Sequence, residues 1–284
     1  MSVSRRKFLQ TTGLLTAAGL IGKNELFANN SKLKNYGLQL WSVKNALAKD
    51  PKGVLKQIAS FGYTQIESFE GSQGMFWGMT PMEFKKLMDD LGMKIISSHC
   101  DIEKDFEKKA ADAASIGMKY LICPYKGPQK TADDFKKIAE EFNQKGDVCK
   151  KNGIRFAYHN HDYSFETENG QVPEDTMLTN TNPATVDFEM DIYWVVTAGA
   201  DPIAYAKKYK NRFRLGHVKD RIKNTTEKDA SCTLGEGSIN YPAMVKDLKA
   251  NGMEYFIVEQ ERYDNTTEMD SAKADAKYMS MLSI

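Results

Sequence analysis

The chain has 284 residues, 41% of them hydrophobic and 27% charged, which is enough for one large domain with an ample core. A formal charge of +1 excludes the basic surface on which nucleic-acid partners rely. Four scattered cysteines, Cys100, Cys123, Cys149 and Cys232, show no CxxC spacing, so they form no disulfide framework and read as free buried thiols.

At the N-terminus "SRRKFLQ" followed by "TTGLLTAAGLIG" has the basic, apolar, small-residue order of an export signal. Arg5-Arg6 with Phe8-Leu9 resembles a twin-arginine signal, which serves folded cargo and predicts a periplasmic location. The apolar stretch is too short for an ordinary membrane span. The expected division is therefore 1–28 as signal, cleaved near Ala28 or retained as an N-terminal anchor, and 29–284 as body. Without residues 1–28 the body keeps 35 basic and 37 acidic residues, a charge of about −2.

From Tyr36 onward short β-type runs alternate with helix-period stretches. The strand candidates in chain order are "YGLQLW", "YTQIESF", "MKIISSH", "KYLICPY", "IRFAYH", "TVDFEMD", "RFRLGHV" and "YFIVEQE". Between them, Val54, Leu55 and Ile58, then Phe84, Leu87, Met88 and Leu91, follow the spacing of one buried helix face. Asn-Gly at 152–153 and 251–252 closes helices just before strands. Eight strand–helix units in about 250 residues predict an α/β fold of the (β/α)8 TIM-barrel type, as a single domain. No GxGxxG follows the first strand, which removes the main argument for a dinucleotide fold.

Side chains alternate along a strand, so parity separates barrel-facing from helix-facing residues. In "TVDFEMD" the division is complete: Val186, Phe188 and Met190 face the helices, while Asp187, Glu189 and Asp191 face inward. A buried carboxylate needs a cation, hydrogen bonds or solvent. The same rule gives Trp41, Glu67, His99, His159, Asp191, His217 and Glu259 as the last inward residues of seven strands. Their polar groups gather at the C-terminal strand ends, where barrel enzymes build their sites. His159, Asp191, His217 and Glu259, from four consecutive strands, supply the imidazole and carboxylate donors that a divalent ion such as manganese, magnesium or zinc takes. The parity of "RFRLGHV" requires Arg212 and Arg214 to face outward. Lys219, Arg221 and Arg262 are candidate binders of hydroxyls or an anionic group. Trp41, Trp77 and Trp194 are candidate apolar walls of a small-molecule pocket, with Glu67 and His99 as further ligand contacts.

Together "YHNHDYSF", "FEMDIYWVVTAGADP", "RLGHVKD" and "LGEGSINYPAMVKDLKANGMEYFIVEQE" resemble the sugar phosphate isomerase/epimerase group of xylose isomerase-like barrels, over the whole body after the signal. The resemblance implies one divalent ion held by Asp191, His217, Glu259 and the fifth-strand residue, a homo-oligomeric state, and a small carbohydrate substrate. In the ketose epimerases the fifth-strand ligand is a carboxylate that doubles as a second base; here it is His159. That departure leaves Glu259 as the catalytic base, with His161 as the second acid/base. It favours one-face chemistry: isomerisation through an enediolate, or β-elimination from a keto-glycoside or inosose. Export and the lack of a glycine-rich phosphate cradle after strands seven and eight favour a non-phosphorylated substrate. Three rival readings are a lyase or dehydratase, a zinc endonuclease for abasic DNA, and a non-catalytic periplasmic sugar binder. The four histidines and mildly acidic body count against the endonuclease.

Overall fold

The computed structural model describes residues 32–167 and 170–284; the expected signal at 1–28 lies outside them. Eight parallel strands close into a barrel: β1 (Gly37–Gln39), β2 (Gln65–Phe69), β3 (Lys94–His99), β4 (Tyr120–Cys123), β5 (Arg155–His159), β6 (Val186–Asp191), β7 (Phe213–Val218) and β8 (Tyr255–Val258). Each pairs with its sequence neighbours, and β1 closes on β8 through Gly37↔Ile257 and Leu38↔Val258. The single-domain TIM barrel expected from the alternation is the fold observed.

Local signals set the helix ends. Thr80 and Glu83 form a reciprocal capping box before Pro81–Asp90, and Thr131 and Thr267 cap Ala132–Lys151 and Glu268–Met279 through their hydroxyls. Val54, Leu55 and Ile58 are buried, as are Phe84 and Met88, while Leu87 and Leu91 are half-buried. The predicted helix faces therefore pack on the barrel. Gly252 takes φ +115°, and a Cβ there would fall 2.7 Å from the Asn211 backbone, so the turn into β8 needs glycine.

The first strand ends earlier than its sequence run. Residues Leu40–Val43 turn into a 3-10 helix because the Gln39 side chain accepts the Trp41 N–H at 3.0 Å. Gln39, not Trp41, is thus the last inward residue of β1. Below the site an apolar layer of Ile96, Tyr120, Ile122, Ala157, Leu215 and Ile257 fills the barrel. Arg155 forms an ion pair with Asp187 beneath it. Arg212 does face outward and binds the Leu178 carbonyl at 2.7 Å, whereas Arg214 lies near Tyr120 and Asp187 at the N-terminal end of the barrel and pairs with Glu254.

After β7 the chain departs from simple alternation. A two-residue ribbon pairs Asp220–Arg221 with Ser231–Cys232 before helix Tyr241–Ala250 begins. The glycine-rich turn 234–238 wraps the buried Asp220, whose carboxylate accepts the N–H groups of Gly235, Gly237 and Ile239 at 2.9–3.0 Å. A Cβ on Gly237 would lie 2.2 Å from Asp220 Oδ1. Cys100, Cys123 and Cys149 are buried free thiols and Cys232 is partly exposed. No described helix is long and apolar enough to cross a membrane.

Candidate active site

Register and parity bring His159, Asp191, His217 and Glu259 to one point at the C-terminal end of the barrel. Asp191 pairs with His217 across β6 and β7, and Glu259 follows the last residue of β8. The Asn160 side chain clamps the Asp191 backbone from both sides, donating to its carbonyl at 3.2 Å and accepting its N–H at 3.0 Å. His217 Nδ1 lies 3.2 Å from His159 Nε2, 3.3 Å from Glu259 Oε2 and 3.8 Å from Asp191 Oδ2; His159 Nε2 lies 3.5 Å from Asp191 Oδ2. All four ligating atoms fall within 4.8 Å of one another.

Three observations show that this set fits a divalent cation. Asp191 divides its carboxylate: Oδ1 caps the next helix through the Trp194 N–H at 3.2 Å, whereas buried Oδ2 has no hydrogen bond and faces the two imidazoles. An unanswered buried carboxylate oxygen is costly, and a cation answers it. His159 donates Nδ1–H to the Pro124 carbonyl at 3.3 Å, which turns the Nε2 lone pair toward the other three donors. Two histidines and two carboxylates also match the donor preference of zinc or manganese.

The electrostatics agree. Burial alone pushes the Asp191 carboxyl up, but the Lys219 ammonium and the neighbouring imidazoles hold it well below the carboxylate range. Burial likewise works against Glu259, and Lys219 and His217 outweigh it. Burial lowers His159. His217, also opposed by burial, is held well above its ordinary value by Glu189 and Glu259. With no divalent ion, protons on histidine balance the carboxylates, so an ion entering here displaces protons.

A second cluster lies one layer deeper. His217 Nε2 donates to Glu67 Oε1 at 2.8 Å and lies 3.3 Å from Glu189 Oε2; His99 Nε2 donates to Glu189 Oε2 at 2.8 Å and lies 3.2 Å from Glu67 Oε1. Gln39 donates to Glu67 Oε1 at 2.7 Å, and Ser97 to Oε2 at 2.5 Å. Burial opposes the charge on Glu67, but His99 and His217 hold its pKa well below the usual range; burial and the Glu67 charge push Glu189 up to about 7. Burial works against the His99 imidazolium, and Glu67 with Glu189 still raises it to about 10.

Above both clusters opens a pocket of about 320 Å³, near the lower end of small-ligand cavities. His99, His159 and Glu259 form its floor; Trp41, Phe69, Tyr125 and Trp194 form aromatic walls. Trp41 is 38% exposed and Tyr125 55% exposed at the mouth. Trp77 sits behind the wall, edge-on to Phe69 at 5.0 Å, with its indole N–H on Ser68 Oγ.

The structure corrects several expected substrate contacts. Glu67 is wholly buried beneath His217 and cannot touch a ligand. Lys219 is an internal cation, 3.3 Å from Glu259 and paired with Glu261, with Tyr193 and Trp194 packed over its ammonium. Arg221 binds the Glu227 carbonyl, and Arg262 pairs with Glu227 and Asp264, so neither lines the pocket. Trp41 does line it, but from the turn after β1 rather than from the strand. His161 lines the pocket among Tyr125, Tyr163 and Trp194. Burial and nearby His159 push it down to about 3, and its buried Nδ1 has no hydrogen-bond partner among the described residues, which leaves it available to a ligand. His99 and Trp194 line the pocket as expected. Parity missed Gln39, Ser97 and Glu261; Glu261 continues the inward 257, 259, 261 alternation of the last run and was legible there.

The comparisons agree with this architecture. A crystal structure of a sugar phosphate isomerase/epimerase from Parabacteroides distasonis superposes with a TM-score of 0.76, at 32% identity over 87% of this chain and 97% of that one. The IolI protein, solved with a bound zinc atom, shares the fold at a TM-score of 0.70 and 13% identity, over 86% of this chain and 95% of that one. The inosose dehydratase of Clostridium perfringens is 28% identical over 145 residues, 46% of this chain and 48% of that protein. The chain thus spans about half the length of the curated relatives it matches. Residues 55–281 match the family profile, and the chain belongs to the xylose isomerase-like TIM barrel family.

Proposed function

We propose that this protein is a divalent-metal-dependent carbohydrate isomerase or epimerase acting on a non-phosphorylated sugar or keto-sugar, with the ion held by His159, Asp191, His217 and Glu259. The unpartnered Oδ2 of Asp191, facing two imidazoles at the floor of an aromatic pocket, carries the reading. The zinc atom bound by the IolI protein and the isomerase/epimerase name of the Parabacteroides protein support it. When bound, the ion polarises a substrate carbonyl and stabilises negative charge developing on its oxygen.

The protein's own groups supply the rest. Glu259 is the one carboxylate of the metal set that lines the pocket, and Lys219 and His217 keep it ionised. It takes a proton from the carbon beside the substrate carbonyl, giving an enediolate, and returns it to the neighbouring carbon. Trp41 and Trp194 stack on the apolar face of the sugar, and His161 and His99 hydrogen-bond its hydroxyls. The glycine-rich turn after β7 spends its N–H groups on Asp220 and so offers a phosphate no cradle, which supports an unphosphorylated substrate. The Arg5-Arg6 sequence, read as an export signal, supports a periplasmic site of action for the body from residue 29 onward.

One observation favours a second reading. The fifth-strand position of the metal set is His159, so that set offers the pocket one carboxylate, Glu259, and the curated relatives include inosose dehydratases. After the same proton abstraction, loss of a β-hydroxyl or β-glycosyl oxygen gives a dehydratase or lyase. Elemental analysis of the purified protein and its His159→Ala variant tests the shared step: one equivalent of ion in the parent and none in the variant is expected. No ion in the parent after reconstitution would end both readings and favour a sugar binder. Product analysis with keto-sugars and keto-glycosides then separates isomer from unsaturated product.

A further inference from the structure

We infer that Glu67 is the positioning residue of the metal centre: through its hydrogen bond to His217 Nε2 it fixes that ring in the tautomer whose Nδ1 lone pair faces His159, Asp191 and Glu259. The inference rests on the proposal that those four residues hold an ion. A histidine carries two ring nitrogens, and the one that binds metal is chosen by what the other donates to. In His217 the division is spatial. Nδ1 lies within 3.2–3.8 Å of the three other candidate ligands, and Nε2 lies 2.8 Å from Glu67.

Glu67 is built to be an anchor. It comes from β2, on the far side of the barrel from the strands that carry the ligands, and it is fully buried. Gln39 from β1 and Ser97 from β3 donate to its two oxygens at 2.7 and 2.5 Å, so the carboxylate cannot rotate without breaking both bonds. His99 Nε2, at 3.2 Å, closes the fourth side. The same carboxylate therefore holds a metal ligand and an imidazole on the pocket floor.

The deeper cluster of Glu67, His99, Glu189 and His217 also has the composition of a metal site. Its geometry favours the hydrogen-bonded reading. The two shortest contacts, both 2.8 Å, are N–H···O bonds, and Glu67 already accepts from Gln39 and Ser97. An ion there would have to displace the Nε2 protons of both histidines.

Cobalt(II) titration of the demetallated full-length protein, read by the visible spectrum and by elemental analysis, tests the assignment. The wild type is expected to bind one equivalent, and Glu67→Gln to bind it about 10–100-fold more weakly, the usual effect of removing an outer partner of a ligating histidine. Removing a buried charge that two imidazoles face should lower the unfolding midpoint of the metal-free variant, so affinities are compared where circular dichroism shows both proteins fully folded; a purely structural role would leave the cobalt affinity of the folded variant unchanged. Ser97→Ala, which loosens the anchor without touching His217, should weaken binding by a smaller factor. The downfield ring N–H proton of His217 in the zinc form, assigned by its loss in His217→Gln, should vanish or shift in Glu67→Gln. Unchanged cobalt affinity and an unchanged ring proton in Glu67→Gln would overturn the inference while leaving the metal site intact. Two equivalents in the wild type, one of them lost in Glu67→Gln, would overturn it by making Glu67 a ligand. No binding by the wild type would remove the metal site and the inference together.

Discussion

Asp187 and Asp191 stand four residues apart on the same face of β6, both turned into the barrel, and they are answered in opposite ways. Asp187, near the N-terminal end, meets Arg155 from β5, whose guanidinium also binds the carbonyls of Pro183 and Ala184 at 2.9 and 2.7 Å. The pair is closed and leaves nothing for a ligand. Asp191 meets imidazoles and a lysine already shared with two glutamates, and keeps one oxygen without a hydrogen bond. Between them Glu189 takes an intermediate course, bound to His99 through one oxygen while the other is unpartnered. The partner on the neighbouring strand, and not the carboxylate itself, decides which inward acid becomes structure and which becomes chemistry.

The sharpest way to break the comparison is Asp191→Asn. Neutralising it should abolish ion binding and reduce turnover to background, and the metal-free protein should also lose stability, because Lys219 and two imidazoles lose the buried charge that compensates them. Zinc at about 100 times its Kd should raise the unfolding free energy of the wild type by about 2.7 kcal/mol and that of the variant by nothing, measured by urea unfolding with and without the ion. A variant that still gains stability from zinc would mean that Asp191 is as structural as Asp187.

The mirror experiment is Asp187→Asn. Arg155 is left facing a neutral amide, and since that arginine is partly exposed the cost should be about 2 kcal/mol, below the range for a fully buried pair. Ion stoichiometry should stay unchanged. Loss of the ion at equal stability would erase the distinction between the two ends of the strand.

A third buried acid sharpens the rule, because its main partner is a single backbone group. Asp275, in helix Glu268–Met279, accepts the Leu234 N–H at 2.8 Å, and burial pushes its carboxyl up to about 7. The folded state then keeps a proton that the unfolded chain gives up above its ordinary pKa near 4. Stability from this group is complete below pH 4 and is lost as pH rises to 7, at up to about 1.4 kcal/mol per pH unit. Unfolding free energies at pH 4.5, 5.5 and 6.5 should fall more steeply in the wild type than in Asp275→Asn. Parallel lines would show that Asp275 is ionised and paired in the folded state.

Much of the site was legible because a strand has a period of two. Once "TVDFEMD" divides into apolar and acidic faces, the direction of Asp191 follows, and the same parity carries to His159, His217 and Glu259. Parity fails where a strand stops. Gln39 turned the chain at residue 40 by accepting the Trp41 N–H, and nothing in "YGLQLW" announces that bond. Parity is also blind to depth. Glu67 points inward as expected, but it lies a layer below the pocket, because β2 runs on to Phe69, the next residue of the same parity, and Phe69 takes the place in the pocket wall. Charged residues after strands misled for another reason: Lys219, Arg221 and Arg262 all have acidic or carbonyl partners within the 227–264 segments, some distant in sequence, as Glu261 is from Lys219, and some close, as Glu227 is to Arg221.

The alternation of strand and helix, the eight units, the inward acids and the order of the metal candidates are local patterns, set by backbone geometry and the burial of apolar faces, and one dimension suffices to determine them. Closure of the barrel, the choice of Arg155 for Asp187 and of His159 and His217 for Asp191, and the anchor beneath His217 depend on register between strands as far apart as Gly37 and Ile257. Only the tertiary structure decided these, because a hydrogen bond or ligand contact is settled to within a few tenths of an ångström, and no periodicity along the chain carries that distance.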